Sequence, residues 1–256
     1  MKGVPTDAHY VFTVADAVVD TINDNEALWR ELAKKMHVPL LLSHNDDVNL
    51  SREDMYRIFR QKGMPAPKTF VIRSGTETPK ETFRDLWKSY HTPLMVRPLH
   101  KSRESTLVRQ YTELEKVLAD YHKDNLDVHI FTYKPTRTLS IAVLPNFRGK
   151  DLYTPIAVET FAPNTSLPRT DHPMRPVFQA GEKENERIRK VAEEAYDTLG
   201  LTGHAAIDMI PYQDGYMVIN VDTKPSLSKD GRFLQSLSTT GVDLGQYIHS
   251  MVSSKM

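Results

Sequence analysis

The segment HAAIDMIPYQDGYMVINVD, residues 204–222, is two apolar runs on either side of Gln-Asp-Gly. That arrangement predicts a β-hairpin. On the second run the two-residue period of a strand puts Tyr216, Val218, Asn220 and Asp222 on one face, and Met217, Ile219 and Val221 on the other. Asn and Asp are poor strand formers, so their place at the end of an apolar strand asks for a reason. With the turn centred near Asp214, antiparallel pairing sets Asp208 opposite Asn220 and gathers Asp208, Asn220 and Asp222 on one face, within about 5–7 Å of one another. Two carboxylates and an amide are oxygen donors of the kind Mg²⁺ takes. The other reading is an edge hairpin whose outer face is wet. Tyr216 and Val218 on the same face argue for partial cover, and a covered carboxylate needs a partner.

Around the hairpin the chain reads as alternating elements. ENERIRKVAEEAYDTLG (184–200) predicts a strong helix with Ile188, Val191, Ala192, Ala195 and Leu199 inward and Gly200 as its stop, and DLGQYIHSMV (243–252) predicts a last helix. TRTLSIAVLPN (136–146) and LYTPIAVETF (152–161) predict strands of an antiparallel sheet. Between them and the strong helix, residues 162–181 hold four prolines and no periodicity, which predicts a long loop. Further upstream, SREDMYRIFRQKG (51–63) is a helix with Ser51 and Asp54 at capping-box spacing and Gly63 as its stop. Strands follow at 64–74, 93–99 and 127–133, helices at 79–90 and 111–124, and a polar loop at 100–106. At the front, HYVFTVADAVVD (9–20) opens as a strand and drifts into helical spacing, before a helix at 25–36 and a strand at 38–42. Alternation of this kind predicts an α+β or α/β layer.

Bulk properties narrow the function classes. The chain has 256 residues, with Lys+Arg and Asp+Glu equal at 33 each, so no basic field argues for nucleic acid. The absence of cysteine excludes disulfides, thiolate zinc sites and a cysteine nucleophile. No stretch approaches the ~18 apolar residues of a membrane span, and the start lacks the basic region and long apolar run of a signal peptide. The expectation is a cytoplasmic protein without a membrane or nucleic-acid partner. The histidines are scattered without helical His-x-x-x-His spacing, and Gly-x-Ser-x-Gly is absent, which argues against a zinc or serine hydrolase.

The order of the parts carries a resemblance. LGLTGHAAIDMIPYQDGYMVINVDTKPSLS (199–228) resembles the C-terminal metal-binding segment of ATP-grasp ligases, most closely the D-alanine–D-alanine ligase group, with its Gly-x-x-Arg-Ile-Asp, hairpin, and Glu-x-Asn-Thr-x-Pro-Gly. LSREDMYRIFRQKGMPAPKTFVI (50–72) is similar to the family's entry to its central domain, TPLMVRPLHKSREST (92–106) to its Lys-Pro strand and phosphate-covering loop, and VDLGQYIHSMV (242–252) to its final helix. The resemblance implies an α+β ATP-grasp fold: two α/β subdomains with a nucleotide cleft between them, behind a shortened Rossmann-like N-terminal segment. The implied divisions are 1–48, 49–133 for the central subdomain, and 134–256 for the C-terminal subdomain with its metal-binding hairpin. About 48 residues precede the central subdomain, so the first domain reads as truncated; a half-built layer leaves a sheet edge for a partner, which implies a homodimer.

The same resemblance implies a reaction in which ATP phosphorylates a carboxylate and an amine attacks the acyl phosphate, with ATP and Mg²⁺ as cofactors and an amino acid or short peptide as substrate. Asp208, Asn220 and Asp222 stand where the family has Asp, Glu and Asn, an acid–amide exchange that keeps two carboxylates. Arg52 and Arg97 stand where the family has its nucleotide-binding lysines; arginine keeps the charge but grips phosphate differently. The loop LHKSREST lacks the family's glycines, so Lys101, Ser102, Ser105 and Thr106 are the implied phosphate contacts through side chains. Thr138 stands at the hinge in place of an acid, Ala206 in place of the oxyanion-stabilising Arg, and Ser226 in place of Gly, with Ser226 and Ser228 the implied substrate-binding residues. No catalytic residue is assigned. Two readings follow: an ATP-dependent carboxylate–amine ligase with an altered site, or a catalytically degenerate relative that binds nucleotide weakly or serves as a partner-binding scaffold.

Overall fold

The computed structural model describes residues 11–14, 17–20, 31, 34–35, 40–42, 51–74, 84–85, 87–88, 93–98, 105–133, 137–160, 174–177 and 181–255. A small sheet opens the chain. β1 (Val11–Val14) pairs antiparallel with β2 (Ala17–Asp20), which pairs parallel with β3 (Leu40–Leu42). Residues 11–14 and 17–20 thus form two short antiparallel strands, where the sequence predicts a drift into helix. β-Branched Thr13, Val14, Val18 and Val19 favour the extended backbone.

α1 (Arg52–Gln61) starts at Ser51, whose hydroxyl accepts the Asp54 N–H at 3.1 Å, and Gly63 follows it with φ +79°. β4 (Thr69–Ile72), β5 (Leu94–Pro98), β6 (Thr106–Val108), α2 (Tyr111–Lys123) and β7 (Val128–Thr132) come next, and the strands form an antiparallel sheet in the order β4-β7-β5-β6. α2 covers one face of it, packing Leu114, Leu118 and Tyr121 against Leu94, Val96, Val128 and Ile130.

The last half builds a six-stranded antiparallel sheet. Its strands are β8 (Thr138–Phe147), β9 (Lys150–Tyr153), β10 (Val158–Thr160), β11 (Met174–Pro176), β12 (Ala205–Tyr212) and β13 (Gly215–Asp222), in the order β11-β10-β8-β12-β13 with β9 also on β8. Residues 152–161, expected as one strand, split into β9 and β10 around Pro155, which has no N–H for a ladder. α3 (Gly181–Thr198) packs one face, where Ile188, Ala192 and Ala195 meet Ile141, Ile207 and Val218, and α1 adds Met55, Tyr56 and Phe59 to that core. The other face carries α4 (Arg232–Ser238), an element the sequence reading does not contain, and α5 (Leu244–Lys255). Ser236 fixes α4 to the sheet: its fully buried hydroxyl accepts the Ala142 N–H at 3.1 Å and donates to the Ile156 carbonyl at 3.0 Å.

The two larger sheets meet along an apolar seam, Met95, Phe131 and Tyr133 against Ile210, Met217 and Ile219. A bulge lies beside that seam. Tyr212 pairs with Gly215 across a two-residue turn, then the register shifts between Asp208 and Met209, so that Met209 opposes Val218 while Asp208 opposes Asn220. Ile219 is the inserted residue, and insertion reverses the inside–outside alternation of the strand beyond it. The expected Asp208–Asn220 pairing is present, but Tyr216 and Val218 do not share the face of Asn220; they enter the α3 core with Ile207 and Met209. The Ile219 carbonyl accepts the hydroxyl of fully buried Tyr56 at 2.6 Å. Tyr56→Phe keeps the ring and strands this carbonyl, so urea unfolding is expected to report a loss of about 1–3 kcal/mol; an unchanged midpoint would mean that the bulge holds without the hydroxyl.

Candidate functional site

Strands β8, β12 and β13 lie side by side and set Ser140, Asp208 and Asn220 in one row. Asp208 is only 4% exposed, and a carboxylate so covered has to be supplied with donors. Ser140 Oγ donates to its Oδ1 at 2.5 Å; Asn220 Nδ2 and Arg232 Nη1 donate to its Oδ2 at 3.1 and 3.0 Å. Asn220 turns its carbonyl oxygen the other way, to accept from Arg52 Nη2 at 2.5 Å. The result is a continuous line from Arg52 through Asn220 and Asp208 to Arg232. Gly231 sets the position of Arg232 at the head of α4: a Cβ there would lie 2.7 Å from the Ser226 carbonyl oxygen and 3.0 Å from that of Ser228. Only glycine lets the two stretches of backbone approach so closely.

The facing wall comes from the four-stranded sheet, where Arg97 on β5 pairs with His129 on β7. His129 is buried, with Nε2 2.9 Å from Thr69 Oγ1. Burial, followed by the charges of Arg52 and Arg97, pushes His129 down to about 4, so it is neutral at pH 7. Burial, and then the neighbouring Arg52, lowers Arg97 to about 10. Among the described residues no carboxylate pairs with Arg97. A cleft of about 580 Å³ is lined by Arg52, Arg97, Asp208, Asn220, Asp222 and Arg232 among others, within the range of small-molecule sites. A second hollow of about 300 Å³ shares Arg52, Arg97 and Asn220 and adds His129.

Most sequence-predicted site residues converge here. Arg52, Arg97, Ser105, Thr138, Asp208, Asn220, Asp222 and Ser226 line the larger cleft. Thr106 does not: its hydroxyl lies 3.2 Å from that of Tyr121, on the α2 side of the sheet, because Ser105 and Thr106 point to opposite faces of a strand. Lys101 and Ser102 lie outside the described residues. Ser226 and Ser228 close a turn on themselves, Ser226 Oγ donating to Ser228 Oγ at 3.1 Å and accepting the Ser228 N–H at 3.2 Å. Asp222 sits two pairs further along, opposite Ala206, and accepts the Lys224 N–H at 3.0 Å. Ser140 and Arg232 are absent from the sequence reading. Ser140 was hidden in an apolar strand, and Arg232 lies ten residues beyond Asp222 in a stretch without a helix signal.

These donors do not suit Mg²⁺ in the way the resemblance implies. Mg²⁺ takes oxygen ligands in a near-octahedral shell, yet Asn220 aims its NH₂ at Asp208 and gives its oxygen to Arg52, while Asp208 is held by Arg232.

The comparisons with known proteins agree with the fold. A family model described as the D-ala D-ala ligase C-terminus matches residues 58–253, well over half the chain, and the chain belongs to that family. The D-alanine–D-alanine ligase of Francisella tularensis subsp. novicida is 27% identical over 73 residues, 28% of this chain and 24% of that protein, so the alignment spans about a quarter of its curated relative. The D-alanine–D-alanine ligase of Bacillus anthracis complexed with ATP superposes with a TM-score of 0.70 at 14% identity, over 93% of this chain and 78% of that one. The VanG D-Ala:D-Ser ligase of Enterococcus faecalis gives 0.68 at 15% identity, over 93% and 72%. At such identity the likeness is one of fold, and the fold is that of ATP-grasp ligases.

His129 makes the site's electrostatics measurable. An unfolded histidine titrates near 6.5 and the folded one near 4, so between those values the unfolded chain binds more protons. The contribution is fully present above about pH 6.5 and is lost as pH falls toward about 4. His129→Phe, which suits the neighbouring Tyr56 and Phe131 rings, is expected to flatten that part of the stability–pH curve. An identical slope in both proteins would show that His129 is already protonated in the native state.

Proposed function

We propose that the chain is an ATP-dependent carboxylate–amine ligase of the D-alanine–D-alanine ligase type. The observation that carries this reading is Arg97: half-buried, without a carboxylate partner among the described residues, and set with Arg52 in the cleft between two sheets. Two guanidinium groups whose charges oppose each other favour a polyanion, and arginine grips phosphate oxygens in pairs. In this reading Arg52 and Arg97 hold the phosphates of ATP, with Ser105 beside them and Thr138 at the hinge. A substrate carboxylate oxygen attacks the γ-phosphorus as the bond to ADP breaks. The amine of the second substrate then attacks the acyl carbon, phosphate leaves, and the nitrogen gives up its proton. The chain's part is placement and neutralisation of developing negative charge.

Ser226, on the cleft wall, is the proposed substrate contact, and the substrates are an amino acid or short peptide. Magnesium enters as the counter-ion that ATP carries with it. A cytoplasmic location fits a reaction that consumes ATP, and no helix among the described residues is long and apolar enough to cross a membrane.

A second reading, a nucleotide-binding relative without turnover, is favoured by Ala206, which faces Asp222 where the family's oxyanion-stabilising arginine is implied. Calorimetric titration with ATP tests what both readings share. Arg97→Ala is expected to weaken ATP roughly ten- to hundredfold, the size of one or two charge-assisted hydrogen bonds. Absence of ATP binding at millimolar concentration would sink both. Phosphate release stimulated by one member of an amino-acid panel separates them: stimulation selects the ligase, ATP binding without it selects the silent binder.

A further inference from the structure

We propose that Arg232 is a fixed cation at Asp208 that takes the place of a protein-held divalent metal, so that the cleft binds polyphosphate without a metal ion. The proposal rests on reading the cleft as a phosphate site and concerns how its charge is balanced. Among the described residues Asp208 is the one deeply buried carboxylate on the cleft. A metal there would need its lone pairs and the Asn220 oxygen. Instead Ser140 holds Oδ1, while Arg232 and the Asn220 NH₂ hold Oδ2, and the Asn220 oxygen belongs to Arg52. A divalent ion entering beside Arg232 and Arg52 would meet two positive charges, and would find Asp208 Oδ2 and the Asn220 oxygen already engaged.

The arginine is built in. Its side chain is only 20% exposed, Gly231 permits the close backbone approach that sets its origin, and Ser236 pins α4 to the sheet. Guanidinium stays charged at every working pH and has five N–H donors. Arg232 also lines the cleft with Arg52 and Arg97, so donors not used on Asp208 serve an anion entering between the three. A metal-assisted site loses its grip on phosphate when the ion is chelated, whereas a site whose cation is a side chain keeps it.

The test uses the full chain and inorganic tripolyphosphate, titrated calorimetrically once in excess EDTA and once in excess Mg²⁺. The expected result is binding in both, with affinities within about threefold of each other. Arg232→Gln should weaken the EDTA titration by about tenfold or more, the loss of a charge-assisted contact, and Arg232→Lys should recover part of it. Mn²⁺ alone, followed by water-proton relaxation, should find no site on the wild-type chain that Asp208→Asn removes. Where Arg232→Gln does not fold, the double variant Arg232→Gln/Asp208→Asn, which strands no charge, takes its place. Binding of tripolyphosphate only with Mg²⁺, binding under neither condition, or a wild-type Mn²⁺ site that depends on Asp208 would each overturn the proposal. So would an EDTA affinity indifferent to Arg232, which would make the arginine a tether for α4 alone. Tripolyphosphate bound in EDTA without ATP turnover would remove the ligase reading and leave this one standing; turnover with a strict Mg²⁺ requirement for tripolyphosphate would do the reverse.

Discussion

Buried charge at Asp208 is the constraint around which the site is arranged. A carboxylate removed from water costs several kcal/mol unless donors replace its hydration, and here the donors come from three separate elements. Ser140 arrives from the neighbouring strand by simple register. Asn220 arrives because a bulge at Ile219 brings it opposite Asp208, and that bulge is caught by Tyr56 on a helix some 160 residues earlier in the chain. Arg232 arrives because Gly231 allows the turn before α4 to close. Remove any one and the carboxylate loses a donor; the helix at 52–61, the hairpin and α4 are therefore coupled through a single side chain.

Among the described residues the cleft carries more positive charge, on Arg52, Arg97, Lys224 and Arg232, than Asp208 and Asp222 neutralise. Arg52 spends a donor on a neutral amide, Arg97 has no acid among the described residues, and Arg232 answers Asp208. His129, pressed against the two former arginines, stays neutral, which spares the wall a further charge. The imbalance has a structural cost, since like charges in a partly covered site repel. Such a cost persists where a ligand of opposite sign relieves it, which is why an anion is the natural occupant.

The scaffold was legible in the sequence because it rests on periodic signals. The 3.6-residue stripe of 184–200, the capping Ser51 and the Asp-Gly turn each specify local structure, and their order fixes the family. The polar cluster was legible as a composition on a face, and its pairing with Asp208 came out as expected. Its meaning was not. Period-two reasoning assumes an unbroken strand, so Ile219 as an extra residue is invisible to it, and Tyr216 and Val218 were put on the wrong side. Arg232 was unreadable for another reason: what brings it to Asp208 is the packing of a seven-residue helix whose sequence, RFLQSLS, has no cap and little periodicity. Thr106 shows the opposite fault, a plausible residue type on the wrong face of its strand.

The acid–amide exchange on the last strand and the arginine at the head of α4 belong together. Glu at position 220 would set two carboxylates side by side in a poorly solvated row, and two negative charges at that spacing call for a doubly charged ion. Asn at 220 changes the arithmetic at Asp208: it donates to that carboxylate instead of repelling it, so a single guanidinium balances Asp208. The second carboxylate of the exchange, Asp222, sits opposite Ala206 and accepts the Lys224 N–H. A metal ion and an arginine are then alternative answers to one electrostatic problem, and the side chain at 220 decides which answer fits. Seen this way the departures from the family's pattern are not independent losses. Asn220 donates to Asp208 where an acid would repel it, Arg232 brings a positive charge to the same carboxylate, and Arg52 orients the amide that joins them.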